Sequence, residues 1–297
     1  METSVRPRRS ILYMPGSNPR ALEKAKSLAA DGLIFDLEDA VAPDSKVEAR
    51  RLVEATVAAG GYGRREILVR VNGLGTSWGH DDVVAAARSG ADGLILPKVE
   101  SADMLRQAES ILDEAGAPAS LALWAMMETP RGVLTAEAIA QATPRLVGLI
   151  MGTSDLAKDL QCAHTRDRLP LLHALGHCLL VARAYGLAIL DGVHLDLADD
   201  DGFAAACRQG REMGFDGKTL IHPKTIAVAN QAFAPGPDEL AWSKRIITAH
   251  EEAVAAGRGV VVVDGRLVEN LHVAAARRQV ALAEQIAVLA GEQPPPG

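Results

Sequence analysis

A chain of 297 residues that is 48% hydrophobic and 23% charged, with 27 Gly and 15 Pro, has ordinary globular composition, which excludes the disordered and collagen-like classes. Its 31 Lys and Arg against 38 Asp and Glu give a net charge of −7. With three Trp, three Tyr and four Phe, it lacks both the basic footprint and the stacking platforms of a nucleic-acid binder. No apolar stretch reaches the length of a membrane-spanning helix.

Along the chain, the positively charged N-terminal segment is followed by an apolar run at 11–14 that ends at once in Pro15-Gly16, too short for a signal-peptide core. Comparable β-rich runs recur at 33–37, 67–71, 93–97, 121–127, 146–151, 188–191 and 218–222, at roughly the 30-residue period of a βα unit. Most are apolar on successive residues, as strands covered on both faces are. Between them lie Ala-rich stretches with helical spacing. Ala21, Leu22, Ala25, Leu28 and Ala29 predict a helix over 17–30, and Val47, Leu52, Val53 and Val57 predict one over 45–59 stopped by Gly60-Gly61. The phrases AADG, GADG and GFDG lead into three of the runs, a faint internal repeat.

Eight such units predict an α/β fold, a (β/α)8 TIM barrel over residues 8–235, with a doubly wound open sheet as the competing architecture. The remainder reads as a C-terminal helical extension over 236–291: a helix at 238–257, a short strand at 260–263 and a helix at 270–289. The extension is expected to pack on the barrel or on a neighbouring subunit. The Pro-rich residues 292–297 are expected to be disordered.

Cys162, Cys178 and Cys207 are widely spaced and odd in number. They suggest neither a disulfide framework nor a zinc site, but small buried apolar residues in a chain of the reducing cytoplasm. The glycines of residues 73–79 are spaced GxGxxxG, which misses the dinucleotide fingerprint, so this segment reads as a flexible active-site loop. His173 and His177 stand in HALGH rather than HExxH and read as ordinary helix residues. Residues 15–18 are not a nucleophile elbow. His222 reads as a structural hydrogen-bonding residue, with substrate contact as the minor alternative.

The chemistry of such a barrel sits at the C-terminal ends of its strands. There the sequence places Asp36, Glu38 and Asp39, then Arg70 and Asn72, Lys98, Glu128, Asp155, Asp191 and His222. Alternation puts Asp36 and Glu38 on one side of their strand, and Arg70 and Asn72 on one side of theirs. Converging carboxylates suit a hard divalent cation that keeps several waters, Mg2+ above all. An arginine among them suits bidentate capture of a substrate carboxylate.

RRSILYMPGSNPR, FDLEDAVAPDSKVEAR, LVRVNG, LILPKVES, METPRGV, MGTSDLAKDL and IHPKTIAVANQAFAPGPDELAWSKRI resemble, in order, the motifs of the citrate lyase beta-subunit-like family. That family groups with the malyl-CoA lyases in the HpcH/HpaI aldolase superfamily. The resemblance implies a TIM barrel, Mg2+, a CoA thioester and a small 2-keto acid as substrates, and reversible carbon–carbon cleavage of a 3-hydroxyacyl-CoA such as malyl-CoA or citramalyl-CoA. It also implies a homo-oligomer, trimer or hexamer, whose extension covers a neighbour's active site. Carried over residue by residue, it implies Glu128 and Asp155 as metal ligands and Arg70 as the group that binds the substrate's carboxylate and keto oxygen. Asp36, with Glu38 and Asp39, orients that arginine. Gly152, Thr153 and the amide of Asp155 cradle the keto-acid carboxylate, and Arg20 and Lys24 contact CoA phosphates. The family's acid sits in the extension, where Glu269 fits best in place of the usual Asp, with Asp264 as second choice. Arg70, Asp36 and Glu269 are thus the expected catalytic group. A thioesterase, the carrier-dependent beta subunit of a citryl lyase, and a non-catalytic CoA-binding relative are the competing readings.

Overall fold

The computed structural model describes residues 6–257 and 260–291. The expectation for 292–297, and the first five residues of the N-terminal segment, lie outside the described residues. Two compact units divide the chain, with one boundary between Phe233 and Ala234. The first begins with β1 (Ser10–Pro15), α1 (Pro19–Ala25), β2 (Gly32–Asp36), α2 (Lys46–Ala59), β3 (Glu66–Arg70), α3 (Gly79–Ser89), β4 (Gly93–Leu96) and α4 (Ala102–Glu114). It continues through β5 (Ala122–Met127), α5 (Pro130–Leu134), α6 (Ala136–Ala140), β6 (Leu146–Met151), α7 (Thr153–Asp159), α8 (Leu172–Ala184), β7 (Ala188–Asp191), α9 (Asp200–Met213), β8 (Gly217–Leu220) and α10 (Ile226–Phe233). The strands pair in parallel and in sequence order, and β8 returns to β1 to close the barrel. This is the TIM barrel, not the open sheet.

Strand alternation divides the core in two. Ile11, Ile34, Leu68, Ile95, Trp124, Met126, Ile150 and Leu190 form one cluster that fills the barrel. Their neighbours Leu12, Leu33, Phe35, Val69, Leu94, Leu123, Leu149 and Ile189 belong to the larger cluster beneath the helices. At the N-terminal end of the barrel the Arg8 guanidinium lies over the Trp124 ring at 4.9 Å. It also donates to both carboxylate oxygens of Glu66 at 2.6 and 2.8 Å. Trp124 occupies the space beside Gly148, where any Cβ would strike its ring.

The helix expected over 17–30 is shorter, Pro19–Ala25. Asn18 accepts from the Ala21 amide at 3.1 Å and Pro19 opens the first turn, so the helix cannot start earlier. Beyond Ala25 the amides of Ser27 and Leu28 bond three residues back, tightening the turn. Cys178 and Cys207 are buried and Cys162 is only half-buried, so Cys162 departs from the buried position expected of it. All three are free thiols.

The second unit holds α11 (Pro237–Ala255), β9 (Val261–Val263), β10 (Arg266–Val268) and α12 (Asn270–Gly291). A second strand, unanticipated in sequence, makes the expected short strand a hairpin. Asp264 at φ 47° and Gly265 at φ 76° form its tight turn. Val268, Ile246, Val273 and Ala276 form the core of this unit, with Val261 and Val263 packed against it. Val262 and Leu267, cross-strand partners on the other face of the ribbon, are exposed. No helix among the described residues is long and apolar enough to cross a membrane.

Gly148→Ala should push Trp124 out of its rotamer and lower stability by roughly 1–3 kcal/mol. Trp124→Phe in the same chain should recover part of that loss. Denaturant midpoints of both single variants and the double variant check this, and simple additivity would refute the steric coupling.

Candidate active site at the C-terminal mouth of the barrel

Two residues beyond the interior apolar layer, each strand has climbed one full pleat and faces the barrel axis again. Above Ile34, Leu68, Met126 and Ile150 this position holds Asp36, Arg70, Glu128 and Gly152. The polar site is therefore the next layer of the same stack. Local sequence ends the strands there. Thr129 accepts from the Gly132 amide at 3.0 Å and Pro130 opens α5, which leaves Glu128 as the last residue before the turn.

Asp36 and Arg70 are register partners on β2 and β3. The guanidinium binds the carboxylate bidentately, Nε to Oδ1 at 2.7 Å and Nη2 to Oδ2 at 2.6 Å. Its third nitrogen lies 2.9 Å from Glu38 Oε2 and 3.8 Å from Asp39, and its plane covers the Tyr13 ring at 4.9 Å. The contact to Glu38 is close but lacks hydrogen-bond alignment, so that buried oxygen accepts no hydrogen bond. The Glu38 Oε1 atom takes the Lys98 ammonium at 2.9 Å, and the same ammonium is 3.4 Å from Asp155 Oδ2. The backbone amide of Lys98 donates to Glu128 Oε1 at 2.8 Å. That amide is aimed by a left-handed backbone, φ 49°, uncommon for a residue with a side chain.

Gly152 closes the far side. A Cβ there would come within 2.5 Å of Glu128 Oε2, so only glycine lets the loop before α7 pass this carboxylate. Thr153 is buried beside it and Asp155 lies in the first turn of α7.

Burial governs the electrostatics. Glu128 is 2% exposed. Desolvation raises its pKa to about 7, against the Lys98 charge and with the help of Glu38 and Asp155. Burial also raises Glu38, although Arg70 and Lys98 oppose it. For Arg70 burial works against the charge, but Tyr13, Asp36 and Glu38 outweigh it and the guanidinium stays charged. Burial likewise opposes the Lys98 charge, and Glu38, Glu128 and Asp155 more than offset it.

The structure thus brings Asp36, Glu38, Arg70, Glu128, Gly152 and Asp155 together, with Asp39 at the edge. Lys98 and Tyr13 join them. Lys98 was visible in sequence as a strand-end cation, and Tyr13 follows Ile11 by two residues on the same inward face. Asn72 serves instead as a peg, donating to Leu37 O and Asp82. Arg20 and Lys24 are exposed on α1, one turn apart. Asp191 faces away from the barrel axis, paired to Lys218 at 2.7 Å and to Arg168 at 2.6 Å. His222 is exposed, and its Nδ1 accepts from the Lys224 amide at 3.1 Å. His173 and His177 lie on α8 with stacked rings. A cavity of about 440 Å³ opens beside the acidic layer, lined by Glu38, Asp39, Asn72, Thr76, Trp78 and Lys98 among others; Thr76 and Trp78 belong to the loop at 73–79. In the second unit Asp264 pairs with Arg245 at 3.0 Å. Glu269 is exposed just before α12, and among the described residues its carboxylate has no hydrogen bond or ion pair.

Glu128, Asp155 and Glu38 offer hard oxygen donors, the kind a Mg2+ ion prefers. Among the described residues no three His, Cys, Asp or Glu side chains converge closely enough to cage a metal unaided.

The model of the HpcH/HpaI aldolase/citrate lyase family matches residues 9–223. The chain is 52% identical over 287 residues to a protein of Cereibacter sphaeroides (strain KD131) named (3S)-malyl-CoA thioesterase, covering 97% of this chain and 98% of that one. It is 36% identical to citrate lyase subunit beta of Leuconostoc mesenteroides subsp. cremoris, covering 93% of each chain. Among solved structures it resembles CitE of Mycobacterium tuberculosis in complex with magnesium, acetoacetate and coenzyme A. That match has a TM-score of 0.76 at 31% identity and covers 95% of this chain and all of the other.

A carboxylate raised by burial stabilises the fold while protonated. Its contribution is complete below the ordinary value of 4.5 and disappears as pH rises through about 7. In chelator, the melting temperature should therefore fall between about pH 4.5 and 7, and Glu128→Gln should remove that part of the decline. Thermal melts of both proteins across this range check it, and parallel curves would contradict the assignment.

Proposed function

The chain belongs to the HpcH/HpaI aldolase/citrate lyase family, and on that footing we propose that it is a Mg2+-dependent enzyme that hydrolyses the thioester of a malyl-CoA-type 3-hydroxyacyl-CoA. The observation that carries this reading is the constellation of buried Glu128, Glu38 and Arg70 with half-buried Asp155, in a chain that aligns at 52% identity with a (3S)-malyl-CoA thioesterase over nearly its whole length. A second reading, carbon–carbon cleavage to acetyl-CoA and a 2-keto acid such as glyoxylate or pyruvate, is favoured by the likeness to citrate lyase subunit beta. The CitE structure in complex with magnesium, acetoacetate and coenzyme A favours it too. The likeness to that subunit also leaves room for a carrier-bound acyl group as substrate.

Glu128 and Asp155 would hold the Mg2+ ion, which when bound supplies Lewis-acid polarisation of the substrate's oxygens. Arg70, immobilised by Asp36, presents fixed positive charge to the acyl group's carboxylate and to the oxygen where negative charge develops. Glu38 and Asp39 complete its surround. Gly152 and Thr153 lie beside Glu128, where first-turn amides of a helix lack intrahelical partners, and would receive the carboxylate. Arg20 and Lys24 present paired charge for CoA phosphates. Glu269, whose carboxylate has no partner among the described residues, is the acid or base we assign from the extension. It moves a proton between solvent and the thioester side of the substrate, a neighbouring copy of the chain supplying it in a trimer or hexamer. Asp264 is a poorer choice because Arg245 already neutralises it.

Product analysis by mass spectrometry decides between the two reactions. Malyl-CoA should yield malate and free CoA, with acetyl-CoA and glyoxylate at most a minor fraction, and EDTA should abolish turnover. Acetyl-CoA as the main product would establish the lyase reading, and full activity in EDTA would remove the metal from both.

Glu269→Gln should lower turnover by roughly 10²–10⁴-fold, the usual contribution of a general acid–base group, while Mg2+ binding stays near normal. Mixing Glu269→Gln with Glu128→Gln protomers should restore part of the activity. Restoration requires that one chain's extension completes another chain's barrel; its failure in verified mixed oligomers would place each extension over its own barrel.

A further inference from the structure

Lys98 differs from the other cation of the site in the way it is held. Arg70 is almost fully buried and bidentate to Asp36, so it cannot leave without stranding a buried carboxylate. The Lys98 side chain is 46% exposed, and its ammonium reaches across the mouth between two carboxylates, one just past β2 and one in the first turn of α7. It lies 2.9 Å from Glu38 Oε1 and 3.4 Å from Asp155 Oδ2. Its backbone is fixed separately, at φ 49° with its amide on Glu128 Oε1. The tether is rigid, the charged end has a flexible four-carbon stem, and one side of that stem faces solvent.

The local charge is also telling. Asp36, Glu38, Glu128 and Asp155 supply four carboxyl groups, and Arg70 and Lys98 supply two cations. With these four ionised, and the exposed Asp39 at the edge left to solvent, two negative charges remain, the amount one divalent cation cancels. Without Lys98 three would remain, crowded into a buried layer where charges interact strongly.

From this geometry we propose that Lys98 is a tethered counter-cation. Its ammonium holds Glu38 and Asp155 together when the divalent cation is away, and competes with that cation for Asp155 when it arrives. Lys98 is thus a positioning residue that lowers metal affinity and in exchange keeps the vacant site folded. The inference rests on the reading of Glu128 and Asp155 as a Mg2+ site.

The test is titration calorimetry with Mg2+ alone, on the full chain and its Lys98→Met, Lys98→Arg and Glu128→Gln variants, joined to thermal melts in EDTA and in saturating Mg2+. Removing one competing positive charge should tighten Mg2+ binding by about tenfold or more in Lys98→Met. Lys98→Arg should stay near wild type. In EDTA Lys98→Met should melt below wild type, and saturating Mg2+ should close the gap. A Lys98→Met protein that folds only with Mg2+ supports the proposal. One that folds in neither condition overturns it, because the ion is then no substitute for the ammonium. Unchanged or weaker Mg2+ binding in Lys98→Met also overturns it. Wild-type protein that binds no Mg2+, or binds it undiminished in Glu128→Gln, sinks the metal-site reading instead.

Discussion

The bidentate pair between Asp36 and Arg70 makes the rest of the site possible. Four carboxylates crowd into one layer at the barrel mouth, three of them nearly removed from water. Such a layer would repel itself apart without a buried cation among them. Arg70 provides that charge from the strand next to Asp36, in direct register, so the geometry of a parallel ladder sets the pair. Removing one partner from a buried pair of this kind costs ~3–5 kcal/mol, because the other charge is left uncompensated. The pair is therefore the support of the mouth: it holds one fixed cation among carboxylates that would otherwise face one another.

Around that pair the site departs from what stability alone would select. Glu128 is buried where its charge is disfavoured, Lys98 adopts a left-handed backbone, and Glu38 keeps a buried oxygen without a hydrogen bond. Each departure carries a cost, and all of them lie within one layer. The layer beneath, packed around Trp124 and closed at the other end by Arg8 and Glu66, shows no comparable conflict apart from an indole N–H left unpaired. Three such departures gathered in one layer, above a packed core, are the mark of a functional site rather than of poor folding.

Hydrolysis and carbon–carbon cleavage make similar demands on this arrangement. Both require a grip on a carboxylate beside a reacting oxygen, fixed positive charge where that oxygen becomes negative, and a group that moves a proton. They differ in whether water reaches the thioester or is kept from it. Relatives bearing a thioesterase name and a lyase-subunit name align along nearly the whole chain, so the scaffold alone does not separate the two chemistries.

The sequence by itself determined the barrel, because eight apolar runs at a regular period, separated by helical spacing, admit few other architectures. It also determined which residues reach the mouth: alternation sends Asp36, Arg70 and Glu128 up the same inward face as Ile34, Leu68 and Met126. It misjudged the ends of α1, where an Asn-Pro cap and a tightening last turn override Ala-rich spacing. It missed the second strand of the hairpin, since Arg266–Val268 is too short to show a period. What only the tertiary structure decided is which of the mouth residues meet. Asn72 shares the face of Arg70 in sequence yet is consumed by Asp82 and a carbonyl. Asp191 ends a barrel strand yet turns outward to Lys218 and Arg168. Lys98, one strand-end cation among several in sequence, stands between Glu38 and Asp155, residues 60 and 57 positions away. The reason is physical: periodicity fixes the face on which a side chain emerges, whereas closing the barrel fixes its distance from residues on other strands.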